Sequence, residues 1–127
     1  MGITLDDSIN LCSILRDKGF DFIHLSCWDA FKPSVAYPDD SKTITEWFHY
    51  SLNNLPPVIS TGKVWNHNDA QSLLKQGADL VGVGRAGIGY PDWARDVQNI
   101  NYDPRRPPFT IKHLRAAKLS EVFIDYM

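Results

Sequence analysis

Leu73-Leu74-Lys75-Gln76-Gly77-Ala78-Asp79-Leu80-Val81-Gly82-Val83-Gly84-Arg85 decides the fold. An apolar helical end stops at Gly77, an apolar strand opens at Asp79, and glycines follow where the strand ends. The same order stands earlier, in Gly19-Phe20-Asp21-Phe22-Ile23-His24-Leu25-Ser26. Gly19 and Gly77 punctuate alike, fitting the left-handed position beyond a helix C-terminus. A third short apolar strand, Pro57-Val58-Ile59-Ser60, lies between them. It follows a helical stretch at about 44–52 and the stop Asn53-Asn54-Leu55-Pro56. Three short strands separated by helical segments spell βαβ units and a parallel sheet.

Outward from these strands, the N-terminal segment reads as a helix. Thr4 is its N-cap, Asp6 and Asp7 complement the first turn, and Leu5, Ile9, Cys12 and Leu15 form one stripe. The uninterrupted apolar character of 21–26 predicts burial on both faces, as in parallel sheets. Segments entering the strands are tight. Those leaving them, Cys27–Lys42, Thr61–Asn66 and Gly84–Tyr90, are long, polar or glycine-rich loops. Function in parallel α/β folds sits at these C-terminal strand ends. Pro91-Asp92-Trp93 opens another helix. Residues 1–98 thus form the α/β part. Residues 99–127 form an irregular linker, Asn99–Pro108, and a tail of two short helices, Thr110–Ala117 and Ser120–Met127.

Composition narrows the function classes. The 127 residues carry 13 Lys and Arg against 15 Asp and Glu, a net charge of −2, with 43% hydrophobic residues. No basic surplus points to nucleic acid. No apolar run approaches the roughly 20 residues of a membrane span. Met1–Asp7 is acidic where a secretory signal is basic, and Cys12 and Cys27 are too few for a disulfide framework. A cytoplasmic protein is expected. A complete eight-fold α/β barrel takes about 200–250 residues, so this length excludes one.

The strongest chemical signal is Gly82-Val83-Gly84-Arg85-Ala86-Gly87-Ile88-Gly89, which holds four of the eight glycines. Glycines after a strand let backbone amides approach an anion, and Arg85 adds a planar donor fork suited to phosphate. The glycines alone also suit a tight turn packed on the next helix. The spacing is not that of the dinucleotide fingerprint, and no acidic residue follows at the expected distance. Ser60-Thr61-Gly62-Lys63 is the second signal: Gly62 offers an amide, and Thr61 or Lys63 a side-chain donor. Neighbouring strand ends of a parallel sheet lie side by side, so Gly62 and Gly84-Arg85 are expected to converge on one anion.

Elsewhere the chemistry is plain. Cys27 follows a strand but has no base nearby in sequence, so an inert thiol is expected. His24 belongs in the sheet, His49 at a core edge beside Trp47, Phe48 and Tyr50, His67 at a helix start, and His113 in the tail. Four scattered His and two Cys have no metal-ligand spacing. Arg105-Arg106, before two prolines, reads as a solvated loop. Trp28, Phe31 and Tyr37 either cover a flat ring or anchor their loop. No residue is assigned a catalytic role, and none a metal.

Gly-Phe-Asp-Phe-Ile-His-Leu-Ser, Pro-Val-Ile-Ser-Thr-Gly-Lys-Val, Gly-Ala-Asp-Leu-Val-Gly-Val-Gly-Arg-Ala and Tyr-Pro-Asp-Trp-Ala resemble the C-terminal part of the old yellow enzyme family. These are NADH:flavin oxidoreductases and FMN-dependent ene-reductases built on a TIM barrel. The resemblance runs from about Thr4 to Ala94, and more loosely through Pro107–Met127. It implies that Asp21–Ser26, Pro57–Ser60 and Asp79–Val83 are barrel strands six, seven and eight. It implies that Gly62, Lys63, Gly84 and Arg85 hold the FMN phosphate, and that Cys27–Lys42 shapes the active-site mouth. The family's isoalloxazine contacts, paired His/His or His/Asn, Tyr proton donor and flavin-side Arg come from earlier strands, which this chain lacks.

The expected function is therefore a fragment of an FMN-dependent NAD(P)H oxidoreductase. It carries the phosphate-binding strand ends of an enzyme that moves hydride from NAD(P)H through FMN to an electron-poor alkene. Two alternatives stand beside it. One is a non-catalytic partial-barrel module that pairs with itself or with a missing barrel half, since open parallel edges invite pairing. The other is a different phosphate-ligand barrel enzyme.

Overall fold

Thr4 begins the first helix, as the sequence predicts. In the computed structural model, which describes residues 2–126, α1 spans Leu5–Asp17. The Thr4 hydroxyl accepts from the Asp7 amide at 3.1 Å, and the Asp7 carboxylate accepts from the Thr4 amide at 2.9 Å. That reciprocal pair satisfies two of the amides a helix start leaves open. Gly19 then takes φ +75° and turns the chain into β1, Ile23–Ser26. The unit repeats twice. Thr43 caps α2, Ile44–Ser51, which leads to β2, Val58–Thr61; Asn66 caps α3, His67–Lys75, which leads through Gly77 (φ +107°) to β3, Leu80–Gly82. Four short helices follow: α4 Arg85–Gly89, α5 Trp93–Asp96, α6 Ile111–Ala116 and α7 Glu121–Tyr126. Met127, the expected end of the last helix, lies outside the described residues, as does Met1.

The fold is α/β, with one parallel three-stranded sheet in the order β1-β2-β3. Its register aligns Ile23 with Val58 and Leu25 with Ser60, then Ile59 with Leu80 and Thr61 with Gly82. Strand side chains alternate between faces. Ile23, Leu25, Val58 and Ser60 therefore share one face, and all four are buried. Ile23, Leu25 and Val58 meet Cys12 of α1 and Phe48 of α2 in one apolar cluster. Thr45 of α2 and Ser60 of β2, both fully buried, share a hydroxyl hydrogen bond of 2.8 Å. Neither polar group is left unpaired, so the helix is fastened at low cost.

The opposite face corrects the expectation of double burial. His24 and Ser26 are exposed, Leu80 is 55% exposed, and Phe22, just before β1, is 54% exposed. The helices between strands all serve the other side, and nothing among the described residues covers this one.

A second cluster sits beyond β2 and β3, where Trp65, Leu73, Ala78, Ala86 and Trp93 pack together. The Trp93 indole donates to the Trp65 carbonyl at 2.7 Å. The chain after Asn99 returns to this cluster through Phe109, whose ring lies 5.9 Å from Tyr90 and 6.4 Å from Trp65. A Cβ on Gly89 would stand 2.5 Å from the Phe109 ring, so this glycine admits the tail. Gly84–Tyr90 is a further correction: it is a short helix rather than a loop, because Ala86 buries into the cluster and turns the segment over it.

Candidate functional site

Gly62 sits where β2 meets the loop leaving β1. Its φ is +152°, and a Cβ there would stand 2.6 Å from the Cys27 carbonyl oxygen and 2.8 Å from the Ala30 amide nitrogen. No side chain fits that approach. Lys63 follows with φ +58°, an uncommon conformation for a residue with a Cβ. The two turns swing the chain away from the sheet. They open a cleft of about 310 Å³ between the ends of β2 and β3.

The cleft is lined by Cys27, Trp28, Thr61, Gly62, Lys63, Gly82, Gly84 and Arg85, together with Val64, Trp65 and Ala86. The structure thus brings all four sequence-derived residues to one place. Their side chains differ in availability. The Lys63 ammonium donates to the Asp29 carboxylate at 3.1 Å. Burial pushes the Asp29 carboxyl up, but the Lys63 ammonium, the Phe31 amide and the charge of Lys32 outweigh it and hold it below its ordinary value. Arg85 has no carboxylate and no side-chain hydrogen bond among the described residues. Its guanidinium carbon lies 5.9 Å from the centroid of the Trp28 ring.

Thr61 also lines the cleft, but its hydroxyl has a partner already. Its hydroxyl and His24 Nε2 are 2.8 Å apart on the open face of the sheet. Gly82 lies directly beneath, and a Cβ there would overlap the Thr61 hydroxyl. His24 is hydrogen-bonded in the sheet, as expected, although it is exposed rather than packed. Burial, with the Asp29 charge adding to it, pushes the Cys27 thiol up, which keeps it protonated at neutral pH. His67 Nδ1 meets the Val97 carbonyl at 2.9 Å, and His113 Nε2 the Gly89 carbonyl at 2.8 Å. Arg106 pairs with Asp103 and lies 5.5 Å over the Trp65 ring, so it is less free than a solvated loop implies.

Sequence reasoning missed two partners, Asp29 for Lys63 and Trp28 for Arg85. Both stand far away in the chain, and only the shared end of the sheet joins them. Among the described residues, no group of three His, Cys, Asp or Glu is placed to hold a metal ion. No helix is long and apolar enough to cross a membrane.

No family model matches the chain. It is 36% identical over 96 residues to the NADH:fumarate oxidoreductase of Klebsiella pneumoniae (strain 342), a match covering 73% of this chain and 10% of that protein. It is 30% identical over 101 residues to the NADH:acrylate oxidoreductase of Vibrio harveyi, covering 77% of this chain and 10% of the relative. These matches support an NADH:flavin oxidoreductase family. The probable NADH-dependent flavin oxidoreductase YqiG of Bacillus subtilis (strain 168) adds 27% identity over 97 residues, covering 76% of this chain and 26% of its own length. The chain therefore spans about a tenth to a quarter of these relatives.

Proposed function

We propose that the chain is the C-terminal, phosphate-binding part of an FMN-dependent NAD(P)H oxidoreductase of the old yellow enzyme type. In this reading β1, β2 and β3 are strands six, seven and eight of a TIM barrel, working in the cytoplasm. One observation carries it. The ends of two adjacent parallel strands form a single cleft, with an arginine that no carboxylate claims.

A phosphate fits what is there. Arg85 supplies charge and a donor fork, Gly84 leaves the space beside it clear, and Gly62 lets the loop leaving β1 close against the cleft. A Cβ on Gly84 would meet nothing within 4 Å, so the space beside it is open to a ligand. Lys63 adds its backbone at the rim, and its ammonium is shared with Asp29. Bound FMN would supply the hydride chemistry, from NAD(P)H to an electron-poor alkene-type acceptor. This chain's residues hold and orient the phosphate end of the cofactor. Two of the relatives are named for fumarate and acrylate, which supports an acceptor of that class.

The test is a titration of the full chain with FMN, and with riboflavin as the ligand lacking phosphate. FMN is expected to raise the melting temperature and riboflavin to do so far less. Arg85→Ala removes a charge-assisted hydrogen bond, and its loss is expected to weaken FMN binding by about 1.5–3 kcal/mol. No response to excess FMN sinks the proposal.

The open sheet face supports a second reading, in which the chain is an assembly module. Phe22 and Leu80 are more than half exposed, and the register sets Ile59 between His24 and Leu80 on that face. Pairing with a second copy or with a missing barrel half would cover them. Light scattering across a range of concentrations separates the cases, and a monomer throughout counts against self-pairing.

A further inference from the structure

The loop leaving β1 carries three aromatic rings with different surroundings. Phe31 packs against the cluster around Trp65 and Leu73. Tyr37 stacks on Trp47 at 4.4 Å, and its hydroxyl donates to Asp6 at 2.6 Å. Both rings anchor the loop. Trp28 does not: it is 83% exposed while lining the cleft. An indole left in water gains nothing from burial, so packing does not account for its place.

Its partner is Arg85, at 5.9 Å. Other arginines spend their donors on carboxylates, Arg16 on Asp17, Arg95 on Asp96 and Arg115 on Glu121. The carboxylate next to Trp28 in the chain, Asp29, is taken by Lys63. Arg85 is left with an aromatic partner in place of an acidic one. The difference matters for an anion site. A carboxylate would occupy the guanidinium edge and repel an incoming anion. A ring engages the guanidinium through its face and leaves the in-plane N–H groups free.

We infer that Trp28 is a positioning residue for Arg85, holding the guanidinium across the cleft mouth with its donors open to a phosphomonoester. The inference rests on the phosphate reading above and adds to it the residue that sets the arginine's pose. Because Trp28 is exposed, its replacement leaves the fold intact and changes the pose alone.

The experiment uses the full chain, Trp28→Leu and Trp28→Phe. The free proteins are compared by the NMR resonance of the Arg85 Nε–H group, and anion binding by calorimetry with inorganic phosphate and with FMN. The wild type is expected to show a ring-current displacement of that resonance, kept in Trp28→Phe and lost in Trp28→Leu. Affinity for both probes is expected to fall about two- to fivefold in Trp28→Leu, the range of an exposed cation–π contact, and to be rescued in Trp28→Phe. All three proteins are expected to melt together. An absent ring-current displacement overturns the inference. So does Trp28→Leu binding as tightly as wild type, or Trp28→Phe failing to rescue it. A wild-type chain that binds neither probe overturns the phosphate reading itself, and this inference with it.

Discussion

Gly62 and Gly82 both end a strand, yet different neighbours require their missing side chains. Beside Gly82 the obstacle is the Thr61 hydroxyl, a group that mutation can remove. Gly82→Ala is expected to destabilise the chain strongly alone and much less in a Thr61→Ala background. The coupling should be of order 1–3 kcal/mol by urea unfolding of the four proteins in the cycle; additive losses would show that the two sites do not touch. Beside Gly62 the obstacles are the Cys27 carbonyl and the Ala30 amide, both backbone, and φ is already +152°. Side-chain trimming should therefore not rescue Gly62→Ala. Asp29 carries the pH dependence at this scale. Its folded-state carboxyl is held below its ordinary value, so it adds stability at neutral pH that disappears as pH falls through the folded value. Asp29→Asn should lower the melting temperature at pH 7 and leave it near wild type at pH 2. The difference is worth about 1 kcal/mol or less, because Lys63 is 40% exposed. An equal deficit at both pH values would assign the loss to packing.

The three longest helices begin the same way, with Thr4 and Asp7, Thr43 and Glu46, Asn66 and Asp69 closing reciprocal caps. The Thr43 cap is buried, and its hydroxyl also reaches the Gln76 side chain at 3.1 Å. Thr43→Ala is expected to cost about 1–2 kcal/mol in chemical denaturation, more than Thr4→Ala at the exposed end of α1. Equal costs would mean that burial adds nothing to the cap. Elements set by such neighbouring residues were legible in the sequence. Thr4, Gly19, Gly77 and all three strands stand within two residues of the reading, since caps, left-handed glycines and apolar runs act within a few positions. The caps at Thr43 and Asn66 follow the same three-residue spacing. The helix α4 was not legible, because Gly87 and Gly89 oppose helix by propensity and distant Phe109 and Trp65 decide the packing. The candidate site divides likewise. Gly62, Lys63, Gly84 and Arg85 stand in strand-end motifs, whereas the Lys63–Asp29 pair joins positions 34 residues apart. An apolar run, finally, shows that a strand tolerates cover on both faces. It does not show that the chain supplies the cover.

That missing cover dominates the molecule as a whole. Helices shield the Ile23, Leu25 and Val58 side of the sheet, while Phe22, Ile59 and Leu80 line the other, and β1 and β3 both end the sheet with unpaired edges. Burying a large apolar side chain is worth about 1.5–3 kcal/mol, so Phe22 and Leu80 together reward any surface that fits. For the 127-residue chain by itself, a second copy presents the nearest match, an identical apolar face with the same open edges. Self-association is therefore expected to rise with concentration in light scattering. Leu80→Lys and Phe22→Lys each place a charge on that face without touching the buried side, so both should shift the population toward monomer. The secondary structure by circular dichroism should stay unchanged. Association that persists in both variants would assign the contact elsewhere, to the exposed Leu11 and Ile14 of α1 or the exposed Val122 of α7. A wild type that stays monomeric at high concentration would mean that the open face does not drive pairing.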